Sequence, residues 1–510
     1  MGLDTQNAPK VLLGLDSERP NPSTLAEGYF FKPKDVTRLD ILQIDGGIRS
    51  WVSLFGGSSV TPLVDPIFYV DPVFGNDSNS GTVFFPFATI DHALKALTPG
   101  WYGLATVRLR AGVHTLASRT VFPASLGDST STAGNLLFDG IDNTDSGLGT
   151  RTSNGGTTGG TFPSPVFGTV VDNVGGLTVN AWRGSFVRFT SGATLNGRCF
   201  LIASNSSTTF TICGSIPVAP TTETFVVEHP AATVTWASSE VMQGTLPVGF
   251  QNIWLAGGGG SNSLQLGGFI MGLQKCKFSS IGTGGLRLRN GSGLADLLAI
   301  QGYLGNTSIV QQCGSHFKDL EIQIRLGSTS GLGPSQVNLN RSLFENADTE
   351  HFNGTTIQYI NSYFVGNSWV RMGYGSVGLI SSCRFDAVTP APIISSIIAS
   401  AFGAAVVFSK RSSGTVGACD ISNTPATTAP GDGTLVEDSS TIDIADTIGT
   451  GNAALGCRIH RLSLVRKSLG TTITGAVNDV QIGANAAQTW ASVVAVVTDP
   501  VELCIACPNI

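Results

Sequence analysis

The fold is decided by two neighbouring stretches, YVDPVFGNDSNSGT at residues 69–82 and FPFATIDHALKAL at residues 85–97. In the second stretch, apolar residues recur at the helical spacing i, i+3, i+4 and i+7: Ile90, Ala93, Leu94 and Leu97. Thr89 stands directly before them and is placed to cap a helix. The pattern predicts a short amphipathic helix over residues 89–97, whose apolar stripe covers the open end of a larger core.

The first stretch is a polar turn with several side-chain oxygens. Asp71, Asn76 and Asp77 are of the type that binds calcium, but Asp and Asn in such turns more often bond to their own backbone. The same interpretation applies to Asp139, Asp142 and Asp145. The sequence predicts neither a metal nor a cofactor.

Together the two stretches resemble the opening segment of pectate-lyase-like right-handed parallel β-helices, in which a VDxxxGxDxxxG turn and a PFxTIxxAL helix lead into the first coil. Within that family the pattern resembles bacteriophage tailspikes and related virion appendages. The resemblance implies an all-β fold: a right-handed parallel β-helix with an N-terminal attachment module, a small inserted β-barrel and a C-terminal β-module.

A repeat supports a coiled architecture. A small or polar residue followed by an apolar or aromatic one recurs at Asn252, Cys276, Asp319, Ser342, Ser362 and Ser382. Most steps are 20 to 24 residues, and the step of 43 is close to two of them. A period of this length is typical of one solenoid coil, and stacked coils share a continuous core.

Composition excludes several classes of protein. Of the 510 residues, charged ones make up only 13% and glycine contributes 64, which favours flat β-surfaces over helical bundles. The net charge of −6, without any basic cluster, argues against nucleic-acid binding. The N-terminus predicts neither a signal peptide nor a membrane span.

Nine cysteines lie scattered in apolar stretches. An odd number placed in this way predicts buried free thiols, made in a reducing cytoplasm. The one CxxC, Cys504 and Cys507, lacks the second pair that a zinc site needs. A phage product made in the host cytoplasm and released by lysis fits these features.

Five segments are predicted. They are an N-terminal particle-attachment module (1–65), β-helix coils with the capping helix (66–177), the inserted barrel (178–238), the main coils (239–425) and a C-terminal β cap for trimerisation (426–510). Residues 147–165 are rich in Gly and Thr and are predicted to form a long loop.

The candidate catalytic residues are acids. Glu345 and Asp348 lie in one polar segment, and Asp319 and Glu321 stand two apart on a predicted strand, so they point to one face. Such carboxylates can act as acid and base on a glycosidic bond, or simply mark a solvated strand and turn.

Aromatic residues are the candidate carbohydrate-binding groups, in particular Trp369, Tyr374 and Tyr359. Aromatic rings stack on sugars, but they also fill coil interiors, and the sequence leaves both roles open.

Three functions remain open. The first is a homotrimeric tailspike or tail fibre that binds a bacterial surface polysaccharide and attaches to other virion proteins through its N-terminal module. The second is a depolymerase that hydrolyses or eliminates within the same glycan, and the third is a purely structural head fibre or decoration protein. Fold alone does not separate them.

Overall fold

The computed structural model describes most of the chain between residues 10 and 506. The described ranges are 10–14, 29–33, 40–45, 48–53, 63–97, 101–116, 120–121, 136–159, 167–236, 241–243, 248–257, 263–267, 270–280, 286–290, 299–301, 314–325, 336–352, 354–366, 368–386, 403–422, 431–452, 455–459, 463–468, 471–475, 478–482 and 502–506. Two units are present, Met1–Leu63 and Val64–Ile510. Among the described residues no helix has the length and hydropathy needed to cross a membrane.

The N-terminal unit contains a four-stranded sheet in chain order. Its strands are β1 (Lys10–Gly14), β2 (Tyr29–Pro33), β3 (Asp40–Asp45) and β4 (Ile48–Ser53). The first pair is parallel, whereas β3 and β4 pair antiparallel on either side of Gly46 and Gly47.

The capping helix lies near the start of the second unit. Strand β5 (Leu63–Val64) stands at the boundary of the two units, and the next elements are β6 (Ile67–Val70), α1 (Ile90–Ala96), β7 (Trp101–Tyr102), β8 (Ala105–Leu109), β9 (Gly112–Leu116), β10 (Thr120–Val121) and β11 (Leu136–Gly140). Thr89 caps α1 by accepting a hydrogen bond from the His92 amide, and the predicted apolar stripe is buried. α1 packs against β6 and β9, which are the first strands in the chain of two large sheets.

A small closed barrel follows. Its strands are β12 (Asn143–Asp145), β13 (Arg151–Thr157), β14 (Thr169–Asp172), β15 (Phe186–Phe189), β16 (Cys199–Asn205), β17 (Thr209–Ile212) and β18 (Thr224–Pro230). All pairings are antiparallel, and a pairing of β18 with β15 closes the sheet around Phe189, Phe200, Phe210 and Phe225.

The barrel therefore begins earlier than residue 178, and the predicted loop 147–165 contains a strand. Glycine makes this strand possible: a Cβ at Gly156 would lie 2.2 Å from the Thr169 carbonyl oxygen of the paired strand. The barrel also ends at Pro230, before the predicted limit at 238, and β19 belongs to the next region.

The remaining strands form the parallel-sheet body, defined as β6, β8 to β11 and β19 to β46. The strands from β19 on are β19 (Ala232–Trp236), β20 (Val241–Gln243), β21 (Val248–Gln251), β22 (Ile253–Gly257), β23 (Ser263–Gly267), β24 (Ile270–Gln274), β25 (Lys277–Ser280), β26 (Leu286–Asn290), β27 (Ala299–Gln301), β28 (His316–Arg325), β29 (Gln336–Asn340), β30 (Leu343–Phe352), β31 (Thr356–Ile360), β32 (Tyr363–Val365), β33 (Val370–Met372), β34 (Val377–Ser381), β35 (Arg384–Asp386), β36 (Gly403–Phe408), β37 (Ser413–Gly417), β38 (Asp420–Ser422), β39 (Gly431–Val436), β40 (Thr441–Ala445), β41 (Ile448–Asn452), β42 (Leu455–Ile459), β43 (Leu464–Ser468), β44 (Thr472–Gly475), β45 (Asn478–Ile482) and β46 (Glu502–Ala506).

These strands build one sheet of 20 strands and one of 13, and the pairings within them are parallel except for that of β43 with β46. Parallel pairing continues through β39 to β45, so the segment from 426 onward extends the same sheets as far as residue 482. The reason is visible in Thr441–Ala445, where Ile442 and Ile444 point inward like the apolar residues of earlier turns. A separate C-terminal module is not seen in this range.

A column of aromatic rings forms the core of the body. Its members come from five paired strands and are Phe278, Phe317, Phe344, Phe364 and Phe385. Neighbouring ring centroids are 4.4 to 5.1 Å apart, with planes within 12° of parallel. The predicted small-then-aromatic motif marks four members of this column, Phe278, Phe344, Phe364 and Phe385. The repeat predicted at Asp319 is displaced, because the column residue of that turn is Phe317, and in the repeat at Asn252 the residue in register with Phe278 is Leu255 rather than Trp254.

A ladder of small polar side chains, the corner ladder, lies in the turns before these five strands and before β38 and β41. Its members are Cys276, Ser315, Ser342, Ser362, Cys383, Cys419 and Thr447. Ser362 shows the pattern: its hydroxyl accepts from the Ser342 amide at 3.2 Å and lies 3.4 Å from the Leu339 carbonyl of the preceding turn. The side chains of the corner ladder thus provide hydrogen-bond partners for buried backbone groups where the chain bends. Six cysteines in the described part of the chain are free thiols. All six are buried, as predicted.

Candidate functional site

Two rows of outward side chains flank the aromatic column, because neighbours of an inward residue on a strand point to the opposite face. We call these rows the polar ladder. The first row is Trp254, Lys277, His316, Leu343, Tyr363, Arg384 and Asp420, and the second is Ser279, Lys318, Glu345, Val365, Asp386 and Ser422. Each member pairs in register with the next, so the rows are continuous across neighbouring strands.

The barrel covers the middle of the polar ladder. Leu343, Tyr363 and Val365 pack in one apolar cluster with barrel residues that include Phe186 and Leu201. Polar members of the ladder stand on both sides of this contact. The contact between barrel and body, called the joint below, therefore divides the ladder into two polar groups.

The first group surrounds Glu345. Its carboxylate accepts a hydrogen bond from Nε2 of His316 at 3.1 Å, and the cationic groups of Arg183 and Lys318 lie 3.6 and 3.8 Å away. Burial alone would raise the pKa of Glu345, but the hydrogen bond and these charges together hold the pKa below its usual value. This direction is opposite to that needed by a general acid.

A second carboxylate strengthens the joint from the barrel side. Glu228, at the end of β18, binds Nε of Arg188 at 2.9 Å and Nζ of Lys275 at 2.6 Å. Lys275 also donates to the side chain of Asn143 at 3.0 Å, so one body lysine contacts the paired barrel strands β12 and β18. The joint is thus ionic at its edges and apolar at its centre.

The second group, beyond the barrel contact, contains two carboxylates around one guanidinium. Arg384 places Nη2 3.4 Å from Asp386 and Nε 3.6 Å from Asp420, and the Tyr363 hydroxyl donates to Asp386 at 2.7 Å. Ser422 donates to the other oxygen of Asp420.

These two acids lie in different electrostatic environments. Burial raises the pKa of Asp420, the Ser422 hydrogen bond and Arg384 oppose that rise, and the charge of Asp386 adds to it. The net effect is a raised pKa. A raised pKa is one of the properties that a general acid acting on a glycosidic bond needs.

The structure brings only one of the predicted acids into the polar ladder, namely Glu345. Glu321 and Asp348 are register partners on β28 and β30, and Asp319 lies on β28, but the side chains of all three lie outside the described residues. These three acids stay candidate residues.

The predicted aromatic residues occupy different environments. Tyr359 is fully buried against Phe344 and Phe364, and Trp369 is buried beneath Arg371, whose guanidinium carbon lies 3.0 Å from the ring centroid. Neither ring offers a free face to a sugar in the single chain. Tyr374 is 43% exposed at a turn and stays a candidate for stacking.

Sequence reasoning missed Asp386 and Asp420. The usable signal is their position directly beside an inward core residue of the repeat, Phe385 and Ile421 respectively. The predicted backbone role holds for Asp71, which accepts from the amides of Val73 and Phe74 at 2.9 Å, but not for Asp139, which lies on β11 with Arg108 4.0 Å away. Among the described residues no cluster of three or more metal-ligating side chains is present.

No protein-family model matches the sequence, and no curated protein matches it either. Solved structures that the chain is similar to include a glycoside hydrolase, at 10% identity over 80% of this chain and 96% of that one, with a TM-score of 0.23. Another is the tailspike gp49 of Pseudomonas phage LKA1, at 12% identity over 76% of this chain and 75% of that one, also with a TM-score of 0.23. A third is the GH136 lacto-N-biosidase of Eubacterium ramulus, at 9% identity over 83% of this chain and 68% of that one, with a TM-score of 0.27. Similarities at these identities and TM-scores do not assign a function to this chain.

Proposed function

We propose that this chain is a phage virion appendage, a tailspike or tail fibre, which binds a bacterial surface polysaccharide along the polar ladder. In this proposal the parallel-sheet body is a right-handed parallel β-helix. The observation that carries the proposal is the register of the ladder, which spaces side chains on neighbouring strands about 4.8 Å apart and leaves partly exposed polar groups around Lys318 and Arg384 on the two sides of the barrel contact. A periodic row of this kind suits a polymer with repeated hydroxyl groups, because many weak contacts add along a rigid rod.

The proposed assembly is a homotrimer attached to the particle by the unit Met1–Leu63. Val377 and Leu379 support it: on the outward face of β34 they are 48% and 36% exposed, and burial between copies would remove them from water. Light scattering should give three times the monomer mass. A monomer mass at micromolar concentration would reject the trimer.

Binding is tested with purified surface polysaccharides from candidate host bacteria. Arg384→Gln removes the cation between Asp386 and Asp420, and we expect it to weaken binding at least ten-fold. The matched control is Arg411→Gln, which removes an exposed arginine outside the polar ladder. Equal binding by wild type and Arg384→Gln would reject the ladder as the site, and no binding to any polysaccharide would favour a structural particle protein.

A second function, glycan hydrolysis, is favoured by the raised pKa of Asp420 beside Asp386. Asp420 would protonate the leaving oxygen, while Asp386 would act as the base or nucleophile. New reducing ends should form with wild type and fall by orders of magnitude in Asp420→Asn and Asp386→Asn, but not in the helix control Asp91→Asn. Cleavage that persists in both ladder variants would exclude this pair and return attention to Glu345, Asp348, Asp319 and Glu321.

A further inference from the structure

The joint carries positive charge in a protein whose net charge is −6. Around Glu345 stand three cations, Lys277, Lys318 and Arg183. Burial lowers the pKa of His316 and of His229, so both histidines add no charge at neutral pH. Three cations and one carboxylate leave a local charge of +2.

Of these three cations, Lys277 is the one that forms no ion pair with a described carboxylate. Its Nζ lies 4.4 Å from the centroid of the Trp254 ring. Burial lowers the pKa of Lys277, and the charge of Lys318 lowers it further, while Glu345 partly opposes this shift. A half-buried ammonium with a second lysine on the next strand is destabilised until an anion reaches it.

The neighbouring strand shows which anion fits. Lys318 lies 3.8 Å from the carboxylate of Glu345, and this lysine is 39% exposed. Lys277 stands one strand earlier, diagonal to Lys318, without an equivalent carboxylate. A carboxylate from a ligand, placed beside both lysines, would give Lys277 the ion pair that Lys318 already forms with Glu345. The Trp254 ring lies against Lys277 and would form an apolar surface next to this ligand.

We propose that Lys277 and Lys318 bind the carboxylate of an acidic sugar. This inference rests on the proposed glycan binding and specifies its substrate class: a polysaccharide that contains uronic or other carboxylated sugars. The fluorescence of Trp254 should report binding, because a ligand that reaches Lys277 changes the surroundings of the indole ring. The Nε1 of this ring donates a hydrogen bond to Ser279 at 2.7 Å.

The experiment compares glucuronate-, galacturonate- and sialate-containing oligosaccharides with the same oligosaccharides after reduction of their carboxyl groups. We expect the acidic members to bind, to change Trp254 fluorescence and to weaken with rising salt. Lys277→Met and Lys318→Met should each lower their affinity at least ten-fold, while Lys95→Met on α1 leaves it unchanged. Glu345→Gln removes a competing carboxylate and should strengthen acidic binding several-fold.

The outcomes separate this inference from the proposed function. Equal binding of acidic and carboxyl-reduced members, or unchanged binding by Lys277→Met, overturns the acidic-sugar site but leaves glycan binding intact. Binding of no member overturns both. Competition by inorganic phosphate as strong as by the acidic sugars would overturn the assignment to a carboxylate, and thermal melting of each variant separates lost binding from lost folding.

Discussion

The ring of Phe344 lies parallel to that of Phe364, with centroids 4.4 Å apart and planes inclined by 3°. Phe344 also stacks on Phe317, so it stands in the middle of the aromatic column. Each ring is held by the turn before and the turn after it, so the column connects successive turns of the body.

Phe344→Ala should destabilise the body strongly. The side chain is fully buried, and removing a buried phenyl group typically costs about 3 to 5 kcal/mol through lost contacts and the cavity left behind. Chemical denaturation gives the free energy of unfolding. Phe84→Ala is the control because this ring is 84% exposed. A similar loss of unfolding free energy in both variants would show that the aromatic column does not contribute specially to stability.

Ser362→Ala tests the corner ladder. The change leaves the buried amide of Ser342 without its acceptor, which typically costs about 1 to 3 kcal/mol. Ser362→Cys is the matched control, since Cys383 occupies the next position of the ladder and contacts the same kind of carbonyl. Equal stability of the alanine variant and wild type would contradict the role of the hydroxyl.

Gly184→Ala should disturb the joint between barrel and body. A Cβ at this position would lie 2.0 Å from Nδ1 of His316, whose other nitrogen binds Glu345. Gly147→Ala is the control, because its φ of +84° is similar to the +77° of Gly184 but nothing lies within 4 Å. Limited proteolysis should cut Gly184→Ala faster than the control, and equal rates would show that the contact does not hold the joint.

Acid should destabilise the body through His351. Burial lowers the pKa of His351 to about 3 from an ordinary 6.5, and Nε2 lies 2.9 Å from the Tyr359 hydroxyl. The unfolded chain therefore takes up a proton at higher pH than the folded chain. The stabilisation is complete above pH 6.5 and is lost as pH falls toward 3, by about 3 kcal/mol at pH 4.

His351→Gln keeps a hydrogen-bonding group but removes the titration. Its loss of unfolding free energy between pH 7 and pH 4 should be smaller than that of wild type. His92→Gln, on the partly exposed face of α1, should lose as much as wild type. If all three proteins lose the same amount, His351 does not govern the acid sensitivity.

Local patterns predicted the elements whose signals are short-range. The helix after Thr89 needs only spacing and a cap, and the aromatic column needs only a residue of the right kind once per turn. The strand Arg151–Thr157 was missed because its composition is that of a loop, and only pairing with β14 and β18 makes it a strand. Long-range pairing of this kind leaves little trace in a single sequence.

The site was predictable only in part for the same reason. Glu345 stood out in a polar segment, but its partner Arg183 comes from the barrel, far away in the chain. Asp386 and Asp420 are 34 residues apart, and they become neighbours only because β35 and β38 pair. Which acids share a cation depends on register, and register depends on the lengths of the segments between strands.

The barrel leaves and rejoins the chain at one place. Asn143 pairs with Pro230, and the Ala231 amide donates to the Asp142 carbonyl at 3.2 Å, while β11 before the barrel pairs directly with β21 after it. An insert whose ends meet in this way is an exchangeable cassette: recombination can remove it or replace it without breaking the order of the surrounding strands. Because the same cassette supplies Arg183 and covers the middle of the polar ladder, exchanging it would change the side chains presented on this face while the order of the parallel strands stays intact.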